Sequence, residues 1–283
     1  MISQNNNQKS NFDRARNHEN GFLRFLVAIK NRLISFAVFV LTAVTVLLIW
    51  HLAAIRIDIP FILPTPYRAF ARFFELLPQN EFISAVAGSM KNVISGYTFG
   101  IIIGAVMAFL AFICFPIKAF VAPFVKIARA TPVASFILLC ILWLSDSTAS
   151  AFIAFLMVFP VVYENVLTGL TKTDIKQIEM AKMYGLSKLK TLTVLYIPSA
   201  LPYLGSAAVT SLGLAWKACV SAEVLCIAED TIGHYIFYSK DFFDTEQLFA
   251  WTIAVIIMSI MLEFAVKGIA YFVKRYFRRS YGK

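Results

Sequence analysis

From Leu33 to Ile55 the chain carries no Asp, Glu, Lys or Arg, and this run limits the possible folds more than any other feature. In hydrocarbon every backbone N–H and C=O must find a partner inside its own segment, so a continuous apolar run of about 20 residues is viable only as a spanning helix. The run is also longer than the roughly 7–15 apolar residues of a removable signal, so it is expected to remain as a first span. Further apolar stretches follow at about 90–113, 118–144, 147–168, 200–224 and 249–271. The reading is an all-α membrane protein with six transmembrane helices. The third span is the most interrupted, by Lys126, Arg129 and Pro132, and Asp146 with its small neighbours reads as a tight hairpin between spans three and four. Composition agrees: of 283 residues 59% are hydrophobic and 15% charged, against about 25% charged in soluble domains.

The net charge of +10 raises nucleic acid as a partner, but the distribution points to lipid. Lys and Arg gather in residues 1–32, in 169–198 (Lys172, Lys176, Lys182, Lys188, Lys190) and from Lys267 onward. The two large segments on the opposite side carry only Arg56, Arg68 and Arg72 on one and Lys240 on the other, the latter beside Glu229, Asp230, Asp241, Asp244 and Glu246. The positive-inside rule then places both termini and 169–198 in the cytoplasm of a multi-pass cell-membrane protein. Residues 1–32 read as a basic cytoplasmic tail, disordered to about Gly21. Beyond that they form either a solvated juxtamembrane segment or a short amphipathic surface helix. The membrane-spanning remainder covers 33–283. The four cysteines lack C-x-x-C spacing and read as reduced, buried thiols.

Residues 169–198 are too patterned for a plain connector. Asp174 is a candidate N-cap with Gln177 three residues on. Ile175, Ile178 and Ala181 follow at helical spacing to Gly185, a residue that ends helices in the left-handed region. Ser187 is a second N-cap candidate, ahead of Leu189, Leu192 and Tyr196, with Lys188 and Lys190 on the polar side. Pro198 and Pro202 are expected to break the chain where it re-enters the membrane. The expectation is a helix–turn–helix in which Glu179 offers a hydrogen-bond or charge acceptor, small Ala181 admits a close partner backbone and Gly185 sets the inter-helix angle.

Glu179, Ala181, Gly185 and Pro198, with apolar Leu195 and Ile197 between them, resemble the EAA loop of importer-type ABC permeases, E-A-A-x3-G-x9-I-x-L-P; Met180 departs from it. The resemblance covers about 85–270. It is carried by Ser89 to Gly96, Gly100, Gly104, Arg129-Ala130-Thr131-Pro132, Trp143, Phe159-Pro160, Asn165, Gly169, Gly213, Ala215-Trp216 and Ala222-Glu223, with Leu63-Pro64-Thr65-Pro66 outside it. These are similar to the nitrate, sulfonate and taurine branch. Ser135 to Leu138, Leu144-Ser145 and Lys217 depart from that branch's pattern. The resemblance implies the type I importer permease fold. It also implies an ATP-binding subunit in two copies docking on the loop at Asp174, Glu179, Ala181, Gly185, Ser187, Leu195, Ile197 and Pro198, an extracytoplasmic solute-binding protein, and a second permease copy. The cargo it implies is a small anion of the sulfonate, taurine or nitrate type, with a pyrimidine-type vitamin precursor as the alternative.

Charges inside spans are costly and so face protein or water. Arg129 with Pro132, and Trp216, Lys217 and Glu223, are therefore candidates for the translocation path or outer vestibule; stabilising a bent helix is the competing role for Arg129 before Pro132, and interfacial anchoring or a structural ion pair that for Lys217 and Glu223. Gly96, Gly100 and Gly104 recur every four residues, the spacing of close helix packing. No G-x-x-x-x-G-K-[ST] loop and no nucleophile elbow is present, and His18, His51 and His234 are far apart. The chain is therefore expected to be no enzyme, with no metal and no cofactor of its own; ATP and Mg belong to the partner. An ion-gradient-driven secondary transporter is the main alternative, and would favour mid-membrane carboxylates and inverted repeats.

Overall fold

A computed structural model describes residues 30 and 32–281, with side chains as far as Gly268; the tail expectations for 1–29 lie outside the described residues. Among those residues the chain is helix, turn and coil, without strands. It divides into two compact units, 1–66 and 67–283.

The first unit is built on α1 (Arg32–Ile57), a helix long and apolar enough to cross a membrane. Its threonines need no outside partner, since Thr42 and Thr45 donate to the carbonyls of Val38 and Leu41, both at 2.8 Å. After α1 the backbone turns at Asp58 (φ 50°), and Trp50 Nε1 donates to the Pro64 carbonyl at 3.0 Å. That bond fixes the return of the 58–64 segment.

In the second unit, α2 (Pro66–Leu76) buries Ala69, Phe73 and Leu76 on one face. It meets α11 (Thr245–Tyr281) through Arg72 Nη2, 3.0 Å from Gln247 Oε1. Three helices form the centre: α3 (Asn80–Ile113), α6 (Asp146–Thr171) and α9 (Ile197–Cys226), with α6 packed along both of the others. Glycines permit the α3–α6 contact. Gly96 lies against Ala151, Ala154 and Phe155, Gly100 against Phe155 and Val158, and Gly104 against Phe159 and Val162. A Cβ at Gly100 would stand 2.6 Å from the Val158 Cβ. Residue numbers rise together along this seam, so α3 and α6 run in the same direction. The chain must recross between them, and α4 (Phe115–Ala130) with α5 (Val133–Ile141) makes that crossing.

The recrossing is a broken span. α4 and α5 meet at Thr131-Pro132 with a bend of 102°, which gives five long apolar helices, or six spans if the bent pair counts as one. The helices also exceed their expected limits: α3 begins at Asn80 and α11 at Thr245. At about 1.5 Å per residue α3 is about 51 Å long, well beyond a hydrocarbon core of about 30 Å.

One expectation is corrected. Pro198 and Pro202 do not break the chain: helix continues from Lys188 to Cys226, through α8 (Lys188–Thr191), a π turn at Leu192–Tyr196 and α9. Ile197 N–H bonds to the Leu192 carbonyl, five residues back. The widened turn accommodates the Pro198 ring, which in a regular α turn would clash with the carbonyl four residues earlier.

The far end is closed by α10 (Ile232–Asp241), capped by Thr231, whose Oγ1 accepts from His234 N–H at 3.2 Å. Buried Trp251 of α11 stacks between Phe82 of α3 and Tyr235 of α10, with centroids 5.3 and 4.9 Å away. Three elements are thereby pinned by aromatic faces.

Candidate coupling hairpin and translocation surface

Residues 172–191 fold as the caps require. Asp174 Oδ1 accepts from Lys176 N–H at 2.9 Å and starts α7 (Ile175–Met183); Gln177 takes no part in this cap. The helix ends in a Schellman motif: Leu186 N–H bonds the Ala181 carbonyl and Gly185 N–H the Lys182 carbonyl, both at 3.0 Å. Gly185 itself sits at φ 66°, with nothing within 4 Å of where a Cβ would be. Its requirement is therefore purely of backbone conformation. Ser187 Oγ then accepts from Lys190 N–H at 3.4 Å and opens α8.

The hairpin exposes what a partner could bind. Ile175, Met180, Met183, Tyr184 and Leu189 are all exposed, Met183 to 88% and Tyr184 to 80%. Glu179 is exposed with them and forms no ion pair among the described residues. Ala181 is the exception at 3% exposure, so its small side chain fits packing within this chain. Leu195 and Pro198 are half-buried and Ile197 is exposed, all three at the π turn where the hairpin joins α9.

The path candidates separate into two environments. Trp216 is buried at 1% exposure and donates from Nε1 to the Val255 carbonyl of α11 at 3.1 Å. Glu223 is fully buried. Its carboxylate accepts from Ser89 Oγ at 2.6 Å, from Asn92 Nδ2 at 3.1 Å and from the Cys219 thiol at 3.7 Å, and from the backbone at Gly233. Ser89 Oγ in turn accepts from Ile232 N–H at 3.0 Å. One carboxylate thus ties α3, α9 and the first turn of α10. This charge-assisted set satisfies amides that a helix start leaves unpaired.

Lys217, Arg129 and Pro132 lie on the surface instead. Arg129 pairs with Glu164 of α6, both groups about half exposed. Glu164 was not legible as a site residue because its neighbours read as an uninterrupted apolar span. The signal was nonetheless present, since a carboxylate inside a spanning segment is itself a marker. Ser89, Asn92 and Cys219 are also new to the site; small and weakly polar, they gain meaning only once Glu223 is placed among them. Glu164 and Glu223 are carboxylates within spans, the feature expected of a secondary transporter, yet each is already engaged by donors of this chain. Among the described residues no three His, Cys, Asp or Glu side chains are grouped to hold a metal ion.

Comparison with known proteins agrees with this architecture. The taurine transport system permease protein TauC of Escherichia coli (strain K12) is 21% identical over 230 residues, 78% of this chain and 82% of that protein. The Bacillus subtilis (strain 168) protein that carries the name of an aliphatic sulfonates transport permease, SsuC, is 26% identical over 190 residues, 67% of this chain and 68% of that protein. Among solved structures, a chain of a bacterial ABC transporter importing the acidic polysaccharide alginate superposes with a TM-score of 0.59 at 15% identity, covering 88% of this chain and 99% of that one. A chain of the MetNI methionine ABC transporter in inward-facing form gives 0.58 at 16% identity, covering 70% and 98%. At such identities the structures speak for the fold, which is that of type I ABC importer permeases. Residues 96–279, about two-thirds of the chain, including the hairpin and Glu223 but not its partners Ser89 and Asn92, match the family described as binding-protein-dependent transport system inner membrane component, and the chain belongs to that family of multi-pass cytoplasmic-membrane permeases.

Proposed function

We propose that the chain forms the solute path of an ATP-driven importer and is coupled to a separate ATPase through the 174–192 hairpin. The observation that carries this reading is the hairpin: two capped helices and a left-handed glycine hold Met183, Tyr184 and Leu189 out as exposed apolar groups. Large apolar side chains displayed on a rigid polar scaffold mark a protein-binding surface. The distribution of Lys and Arg puts that surface and both termini in the cytoplasm. Two ATPase copies bind two copies of this chain, and an extracytoplasmic solute-binding protein delivers cargo to the opposite face. ATP and Mg stay with the partner, and this chain catalyses nothing. The cargo is a small anion of the sulfonate, taurine or nitrate class. Relatives named for taurine and sulfonates support this, as do the cations of the membrane segments; the alternative is a pyrimidine-type vitamin precursor within the same class of machine.

Co-purification and vesicle transport test the drive. A tagged chain expressed with its genomic neighbours should retain an ATPase subunit, and uptake should stop when vesicles are depleted of ATP. If no ATPase is retained and uptake continues under an ion gradient alone, the protein is a secondary transporter.

A further inference from the structure

Helix α4 has three faces. Stepping about 100° per residue, Val121, Val125 and Ala128 form the buried face. Phe120, Phe124 and Ile127 lie beside it, exposed to 68%, 56% and 58%, as a lipid-facing stripe would be. The remaining arc holds Lys118, Ala122, Lys126 and Arg129 within about 80° of one another, flanked by Ala119, Pro123 and Ala130. All of these are exposed except Ala122, which is half-buried. Every cation of the helix is on this arc, with Ala122 between them and Phe115 of the first turn on the same side, exposed to 77%.

The depth of these cations excludes lipid as their natural surroundings. The α3–α4 turn at Cys114 ends a helix longer than the hydrocarbon core, so it marks a membrane face. Lys126 and Arg129 are 11 and 14 residues beyond Phe115, about 16 and 21 Å along the axis, a depth that for an upright helix starting at the membrane face falls within a hydrocarbon core of about 30 Å. Lys118 can snorkel to the interface, whereas the other two must face protein or water. A second observation points the same way, to protein or water rather than lipid. Pro123 has no N–H, so the Ala119 carbonyl on the same arc loses its helical donor. An unpartnered carbonyl is not tolerated against lipid. Two-fold related copies of a basic face repel each other, which disfavours close packing of this arc against its own counterpart.

Among the described residues Glu164 pairs with Arg129 on this face and no ion pair involves Lys118 or Lys126, so the arc remains net positive. The broken span also begins α5 just beyond Arg129, with its first amides at the break.

From this geometry we propose that the Lys118–Lys126–Arg129 face of α4 lines the water-filled translocation path and forms its anion-conducting surface, with Glu164 as an internal counter-ion that occupies Arg129 until an anionic solute displaces it. The proposal rests on the anion-importer reading above and adds the residues that meet the solute. The shared chemistry it requires is a single oxyanion group, which a free solute or a phospholipid headgroup can supply.

Thiol labelling of the complete permease–ATPase complex in leaky membrane sheets tests this without knowledge of the cargo. In a Cys114→Ser background, Ala122→Cys is treated with an anionic sulfonate-bearing methanethiosulfonate and with a cationic trimethylammonium analogue, each rate normalised to its reaction with free cysteine. Both measurements are made without nucleotide and again with ATP. The expected result is reaction at Ala122→Cys in at least one state, with the sulfonate favoured roughly tenfold or more. That preference should be lost when Lys126→Gln and Arg129→Gln are added, and Phe120→Cys on the opposite face should stay unreactive. No reaction at Ala122→Cys in either state, or reaction without charge preference, overturns the proposal. So does a preference that appears only when phosphatidylglycerol is removed from the membranes, because a lipid headgroup then occupies the face. ATP dependence of uptake is measured separately, so the drive mechanism can fail while this face stands, and the reverse.

Discussion

At the scale of single residues, two positions are under opposite kinds of constraint. Gly185 touches nothing with its missing Cβ, yet holds φ at 66°; substitutions there act through the backbone alone. Gly185→Asn, which tolerates the left-handed region, should keep ATPase co-purification close to normal. Gly185→Val should weaken the hairpin by about 1–2 kcal/mol and show faster amide exchange across 175–183. Equal behaviour of the two variants would remove backbone conformation as the reason for glycine. Glu223 is constrained by its partners. Glu223→Ala leaves Ser89, Asn92 and the Gly233 amide without an acceptor in a dry site, at about 1–3 kcal/mol for each orphaned group. Thermal melting of the purified complex should drop sharply for Glu223→Ala and less for Ser89→Ala, which removes one donor and keeps the carboxylate's other three. The sequence pointed to Glu223 as a charge worth naming, but of the donors around it only Cys219 is local; Ser89 and Asn92 come from positions more than a hundred residues away in α3 and the Gly233 amide from the start of α10. No local pattern encodes such an assembly.

Whole elements were legible where one physical signal dominated. Apolar length gave α1, α3, α6, α9 and α11, and the caps at Asp174 and Ser187 with Gly185 gave the hairpin almost to the residue. Elements decided by compensation between neighbours were not legible. Pro198 looked like a helix breaker because the π turn that absorbs its ring has no sequence signature. The Arg129–Glu164 pair was invisible because each half lay in a different apolar stretch. The glycine seam of α3 was readable as a packing face, and the structure supplies its partner, α6. Gly100→Val should separate α3 from α6 and lower the melting temperature of the complex, because the new side chain meets Val158 directly. Gly205 and Gly213 of α9 have nothing within 4 Å of a Cβ, so Gly205→Ala should be neutral or stabilising by up to about 1 kcal/mol through helix propensity. Destabilisation by both substitutions alike would mean that contact is not what selects glycine at position 100.

For the whole molecule, α5 and its neighbourhood present Leu138, Leu142 and Trp143 exposed to 60%, 72% and 78%, an apolar surface open to lipid or to a second copy of the chain. In the proposed importer a second copy of the chain completes the path. Native mass spectrometry of the intact complex should therefore find two 31.7-kDa chains with two ATPases. One copy together with a different permease would replace the homodimer with a heterodimer and leave the coupling argument intact.

The uninterrupted helix from Lys188 to Cys226 has a mechanical consequence. It begins at the exposed hairpin and ends three residues beyond the buried Glu223, about 58 Å in all. Such a rod works as a lever: a tilt of about 10° about its midpoint moves each end by about 5 Å in opposite directions. A displacement imposed by an ATPase at Ser187 would then reach the turn before α10 directly, with no relay of intermediate contacts. The π turn, with Pro202 close beyond it, would be the compliant part of the arm, so the stroke delivered to the far end depends on how stiff residues 192–202 are.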